Sequence, residues 1–207
     1  YMAFGSCGIT SIRLPNTLMS IGEEAFSKSQ LESIEIPASV EVIGNMAFAH
    51  TVNMSVINVD AENKKYCSID GVLYDKAVTK LIACPAKKTE VEIPGTVIMI
   101  GDAAFAYCQN LKAVDMPESV VTIGEGAFEG CVSLTKMKLP DNLKYINDAA
   151  FYGCSGLVSI SFGKQLGSIG HETFWKCGNL TQVTIDEANA LFTVIDNVVY
   201  AKHGTVA

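Results

Sequence analysis

The sequence predicts a mainly β solenoid: one stack of parallel rungs about 23 residues apart, carrying an inserted β-hairpin. Three observations predict it. Phenylalanine recurs at Phe4, Phe26, Phe48, Phe105, Phe128, Phe151 and Phe174, with successive gaps of 22, 22, 57, 23, 23 and 23. Every Phe after Phe4 sits in a version of one string, Val-x-x-Ile-Gly-x-x-Ala-Phe, with Leu for Val at 18, 143 and 166, followed by a few polar residues and a segment close to Leu-x-x-Ile-x-Ile-Pro. The long gap holds extra sequence whose first half returns, from Ile185-Asp186 to Tyr200, at an offset of 126. A fixed period in the twenties marks units that cannot bury an apolar side alone and need their neighbours.

Within a unit, the order of elements follows from local chemistry. In the segment beginning at Leu111, Val114 and Met116 alternate with Ala113 and Asp115, the period-2 pattern of a short strand with one buried face. Pro117, lacking an N–H, ends it. Val120 and Ile123 turn inward, Gly124 permits a tight bend, and Ala127-Phe128 plugs the interior. The same pattern places strands around Ile12/Leu14, Ile34/Ile36, Ile57/Val59, Val91/Ile93, Met137/Leu139, Ile160/Phe162 and Val183/Ile185. With Val114/Met116 these make eight parallel rungs, roughly 35–40 Å at about 4.8 Å each.

The insertion covers about 60–88. Asp70-Gly71 reads as a turn, and Val72-Leu73-Tyr74 and Lys80-Leu81-Ile82-Ala83 as two strands around the polar loop 75–79. The second copy, about 186–207, stops before its return strand, which predicts frayed last residues. The whole chain, 1–207, therefore reads as one solenoid, and as a segment of a longer protein.

Composition narrows the function. Fifteen basic against 22 acidic residues give a net charge of −7. That charge argues against nucleic acid, whose binding rests on neutralising phosphates, and against docking on an anionic membrane surface. Apolar residues are 49% of the chain but never form a run long enough to span a bilayer.

The seven cysteines cannot all pair within the chain. Cys108, Cys131, Cys154 and Cys177 each follow a repeat Phe by three residues, as does Cys7, while Ser29 and Thr51 fill the same slot. A slot that accepts Cys, Ser or Thr wants a small side chain with a weak donor. Rungs lie about 4.8 Å apart, whereas disulfide Cβ atoms prefer about 3.8 Å, so a row of buried free thiols is expected. Cys67 and Cys84 flank a different element, and their pairing stays open.

The strings SIEIPASVEVIGNMAFAH, AVDMPESVVTIGEGAFEGCVSL, KMKLPDNLKYINDAAFYGCSGL and SIDGVLYDKAVTKLIACPA resemble the BspA-like leucine-rich repeat family across essentially the whole chain. The resemblance implies a right-handed leucine-rich-repeat solenoid on secreted or cell-surface proteins, associated with adhesion to host or matrix proteins. It brings no shared catalytic residues. Asn147 in place of the turn Gly, Thr173 before Phe174 and Gly163 in place of Pro are mild departures.

Catalytic and cofactor patterns are otherwise weak. His171-Glu172-Thr173-Phe174-Trp175 begins like a zinc-protease helix but has Trp where the second His belongs. The glycines from Gly124 to Gly130 are misspaced for a dinucleotide loop and lack the strand–helix context. No cofactor, metal or catalytic site is expected, and the chain reads as non-enzymatic. Asn53-Met54-Ser55 and Asn179-Leu180-Thr181 fit the glycosylation pattern but share a turn phase with Asn110.

Two surfaces are candidates for a partner. The strand face carries Arg13, Glu35, Asn58, Glu92, Asp115, Lys138, Ser161 and Thr184, with an acidic middle, a basic rung and a neutral end. The ridge after the repeat Phe carries Tyr107, Tyr152 and Trp175, residue types enriched in binding hot spots. The polar loop 75–79 is a third, weaker candidate. The expected function is an extracellular protein-binding or adhesion module, with a passive spacer as the alternative. The expected partner is a host-surface or matrix protein, a glycan being the second choice; no nucleic acid and no membrane insertion are expected.

Overall fold

The computed structural model describes residues 1–202. It is all strand, a β-solenoid of about seven turns spaced about 23 residues apart. The repeat phenylalanines line its axis as a column of parallel rings. Phe105, Phe128, Phe151 and Phe174 follow one another at 4.8, 5.1 and 5.7 Å between centroids, and Phe4, Phe26 and Phe48 at 5.4 and 5.7 Å. Phe105, Phe128 and Phe151 are wholly buried. The slot three residues later is inward as expected. Cys131, Cys154 and Cys177 each donate Sγ–H to the carbonyl of the preceding unit's Phe, at 3.1, 3.0 and 3.1 Å. All seven cysteines are free thiols, Cys67 and Cys84 included.

Seven of the eight expected strands form: Ser33–Ile36, Val56–Val59, Glu90–Glu92, Ala113–Asp115, Lys136–Lys138, Ser159–Phe162 and Gln182–Ile185. The segment around Ile12/Leu14 does not; it is irregular, although Thr10 still accepts from the Glu32 N–H at 3.0 Å. Nor do the strands make one continuous sheet. They pair in register as three separate parallel ladders: Ser33–Ile36 with Val56–Val59, Glu90–Glu92 with Ala113–Asp115, and the last three together. The first break has a clear cause. The Ile57 N–H donates to Gly71 and its carbonyl accepts from Ser68 Oγ, so the insertion takes the bonds the next strand would have used.

A second sheet lies where only an inward turn was expected. The Val-x-x-Ile segments form two-residue parallel strands, Met99–Ile100, Thr122–Ile123, Tyr145–Ile146 and Ser168–Ile169. Lys80–Ala83 joins them, followed by Val72–Asp75 and Tyr66–Ile69, giving seven strands. The insertion is thus a three-stranded meander and not a simple hairpin. Its Asp70-Gly71 turn has φ of 48° and 75°, the left-handed pair a two-residue hairpin turn needs. The meander also divides the interior. Leu73 and Ala83 belong to the N-terminal core, and Val72, Tyr74, Leu81 and Cys84 to the C-terminal one. In the second copy, Phe192–Ile195 and Val198–Ala201 form an antiparallel hairpin. The expected fraying falls on 203–207, outside the described residues.

The Gly after the repeat Ile serves close approach more than a bend. A Cβ on Gly44 would stand 2.3 Å from Glu23 N, and one on Gly170 2.4 Å from Asp148 N.

Candidate functional site

The ridge is built by an alternation of backbone hand. Residues two before and two after each repeat Phe have positive φ, for example Glu24 and Lys28 (51° and 60°), Met46 and His50 (55° and 60°), and Ala103 and Tyr107 (50° and 60°). Alternating hands aim successive N–H groups the same way, as in anion-binding backbone nests. Here three N–H groups of one unit donate to three carbonyls of the next. Ala103, Phe105 and Tyr107 donate to Glu125, Ala127 and Glu129 at 2.8, 2.7 and 2.6 Å, and the next units repeat the pattern. The sequence signal for this geometry is the glycines at 126, 130 and 153, which occupy these positions with φ of 57°, 68° and 68°.

Of the three aromatic candidates on the ridge, Trp175 is 60% exposed, while Tyr107 and Tyr152 are half-buried. Tyr107 lies over Gly130, whose added Cβ would meet the ring at 3.2 Å, and packs against His50. Burial and then the Glu129 carboxylate raise the Tyr107 phenol above its ordinary value. Lys176 Nζ sits 5.1 Å from the Tyr152 ring centroid. The structure therefore joins Tyr107 and Tyr152 to charged neighbours, and leaves Trp175 as the one freely presented ring of the three.

On the strand face, Arg13, Glu35, Asn58, Glu92, Asp115, Lys138 and Thr184 are exposed, and Ser161 is half-buried beneath the Thr184 hydroxyl, which donates to it at 2.9 Å. Register sets them in rows: Glu35 beside Asn58, Glu92 beside Asp115, and Lys138 beside Ser161 and Thr184. Arg13, Glu35 and Asp60 share a groove of about 490 Å³ at the N-terminal end. Like charges on directly paired residues repel, yet Glu92 and Asp115 are such a pair. Among the described residues, neither they nor Lys136 and Lys138 make an ion pair.

The loop 75–79 is held from within. Asp75 accepts from the Thr79 N–H and hydroxyl and the Lys80 N–H at 2.7, 2.6 and 2.8 Å. Burial alone would raise this carboxyl, but those hydrogen bonds and the Lys80 charge hold it below its ordinary value. Two asparagines that the sequence reading passed over prove structural. Asn63 Nδ2 donates to Pro37 and Val40 while its Oδ1 accepts from Lys65 and Tyr66, all between 2.8 and 3.0 Å. Asn189 repeats this at the offset of 126, bonding Gly163, Leu166, Leu191 and Phe192. The signal was their shared place in the two copies of the insertion.

Among the described residues, no group of three or more His, Cys, Asp or Glu side chains is placed to hold a metal ion. No helix of those residues is long and apolar enough to cross a membrane.

A stack of 23-residue units with a strand face, an axial apolar column and a turn ridge defines a leucine-rich-repeat solenoid. The chain belongs to the BspA-type leucine-rich repeat family, whose model matches in six copies over residues 1–70 and 83–204 and passes over the middle of the meander. Repeats of this family are generally protein-interaction modules. No curated protein matches the chain. A leucine-rich repeat protein from Eubacterium ventriosum is similar at 30% identity and a TM-score of 0.86, over 90% of this chain and 51% of that one. A leucine-rich cell surface protein from Faecalibacterium prausnitzii is similar at 27% identity and 0.66, over 83% and 52%. The pneumococcal vaccine antigen PcpA shares the fold at 22% identity and 0.68, over 88% and 53%. The chain thus spans about half the length of these structures.

Proposed function

We propose that this chain is a non-enzymatic protein-binding module of a larger secreted or cell-surface protein, acting in adhesion to a host-surface or matrix protein through its strand face. The observation that carries this reading is the registered Glu92–Asp115 pair, which among the described residues makes no ion pair, as Lys136 and Lys138 also make none. A protein surface with the complementary charge order relieves that repulsion on binding, and such complementarity sets specificity and association rate. The family match and the cell-surface protein of F. prausnitzii support the same class and location.

The test is binding of the purified segment to arrayed matrix proteins, host-surface proteins and glycans, beside the triple variant Glu92→Lys, Asp115→Lys, Lys138→Glu. A saturable protein partner lost in the variant is expected. A partner retained by the variant moves the site to the Trp175 ridge, and no partner at all favours a passive spacer.

A further inference from the structure

The insertion shortens one unit. From Leu81 to Lys88 the chain runs only through the six residues 82–87, where the next unit uses ten residues from Gly101 to Asn110 to pass from Ile100 to Leu111. Cys84 stands in for the repeat Phe: its N–H donates to Ala104 at 2.7 Å, as Phe105 does to Ala127. The outer ridge of this unit is missing, and the ridges on either side close over it at one end only. There Ala49 packs against Ala103 and Ala106, and His50 against Tyr107.

The consequence is an interrupted hydrogen-bond row. Among the described residues, the N–H groups of Met46, Phe48 and His50 have no acceptor, although the equivalent Glu24, Phe26 and Lys28 N–H groups donate to Asn45, Ala47 and Ala49. Met46 and Phe48 line a wedge-shaped cleft of about 200 Å³ with Ile43, Ile82, Ala83 and Lys80 among its other walls. Phe48 is buried, and a buried N–H without a partner is costly. Lys80 is half-buried, and its ammonium makes no hydrogen bond or ion pair among the described residues, although its charge also acts on the Asp75 carboxylate in the same lining. The two carboxylates in the lining already have donors: Asp75 from Thr79 and Lys80, Asp102 from the Glu125 N–H at 3.0 Å.

We propose that this wedge binds a carboxylate carried on a small apolar group, as at the C-terminus of a peptide or in a short-chain carboxylic acid. The Met46 and Phe48 N–H groups, aimed alike by the positive φ of Met46, form a backbone nest for the anion. Lys80 supplies the neutralising charge. Ile43, Ile82 and Ala83 take the apolar part. None of the strand-face candidates lines the wedge, so this site and the proposed adhesive face stand or fall separately.

The experiment is amide-resolved proton–nitrogen NMR of the protein titrated with three probes: acetyl-Ala-Leu as free acid, its C-terminal amide, and 4-methylpentanoate. Saturable downfield shifts of the Met46 and Phe48 amide protons are expected with the free acid, with binding at least about tenfold weaker for the amide and in Lys80→Gln. Equal affinity for 4-methylpentanoate supports the site and assigns it to small carboxylic acids; tighter binding of the dipeptide assigns it to peptide ends. No shift at Met46 and Phe48, equal binding of acid and amide, or unchanged affinity in a Lys80→Gln variant of unaltered thermal stability overturns the proposal.

Discussion

His50 packs against Tyr107 with ring centroids 4.5 Å apart and an interplanar angle of 54°, although they stand 57 positions apart in the chain. His50 Nε2 also lies 3.4 Å from Glu129 Oε2, one unit further on. These contacts bridge the point where the ridge loses its backbone hydrogen bonds, and side chains there do what main-chain bonds do elsewhere. A His50→Ala, Tyr107→Ala double-mutant cycle by urea unfolding is therefore expected to show a coupling of about 0.5–1.5 kcal/mol. Simple additivity of the two variants excludes the bridge.

Phe128 is 0% exposed and stacked on both faces, whereas Phe4 is 39% exposed and stacked on one. Phe128→Ala should cost about 3–5 kcal/mol, the usual loss for an emptied aromatic core site, and Phe4→Ala clearly less. Chemical denaturation of the two variants measures both; equal losses contradict the axial column.

Burial raises the Cys131 thiol well above its ordinary value, and a hydrogen bond with Cys84 together with burial does the same for Cys108. In the unfolded chain both titrate near about 8.5. The folded state thus holds these protons where the unfolded state releases them. Their contribution to stability is intact below about pH 8 and declines as pH rises beyond it, by up to about 1.4 kcal/mol per pH unit per thiol. Urea midpoints between pH 7 and 10 should fall more gently in Cys131→Ala than in the parent. Identical slopes reject the assignment.

Asn63 ties the start of the meander to the preceding unit through four hydrogen bonds. Asn63→Ala leaves buried groups unpaired and should cost about 1–3 kcal/mol. Loss of hydrogen-exchange protection should appear first at the Lys65 and Tyr66 amides. A variant with unchanged stability and protection shows that water replaces the side chain.

Gly130 has φ of 68° and carries the Tyr107 ring on its Cα face. Gly130→Ala adds both a left-handed strain and a steric conflict, so a loss of about 1–2 kcal/mol is expected. Calorimetry of that variant beside Gly178→Ala, where an added Cβ meets nothing within 4 Å, separates this loss from a generic glycine effect.

Much of this protein was determined by its sequence alone, because a repeat states the same physical problem many times over. The Phe period set the axial column, the alternation in segments such as Val114/Met116 set the strand face, and the Cys/Ser/Thr slot set a small inward donor. The 126-residue offset marked the insertion as a repeated element. What the tertiary structure decided lies between units. The second sheet rests on strands of only two residues, such as Thr122–Ile123, too short to leave a period in the sequence. The first break in the strand face depends on Gly71 and Ser68 reaching Ile57 from outside its own unit. The wedge beside Met46, Phe48 and Lys80 exists because one unit lost its outer turn while its neighbours kept theirs, and that mismatch is a relation between distant backbones that no single stretch of the chain encodes.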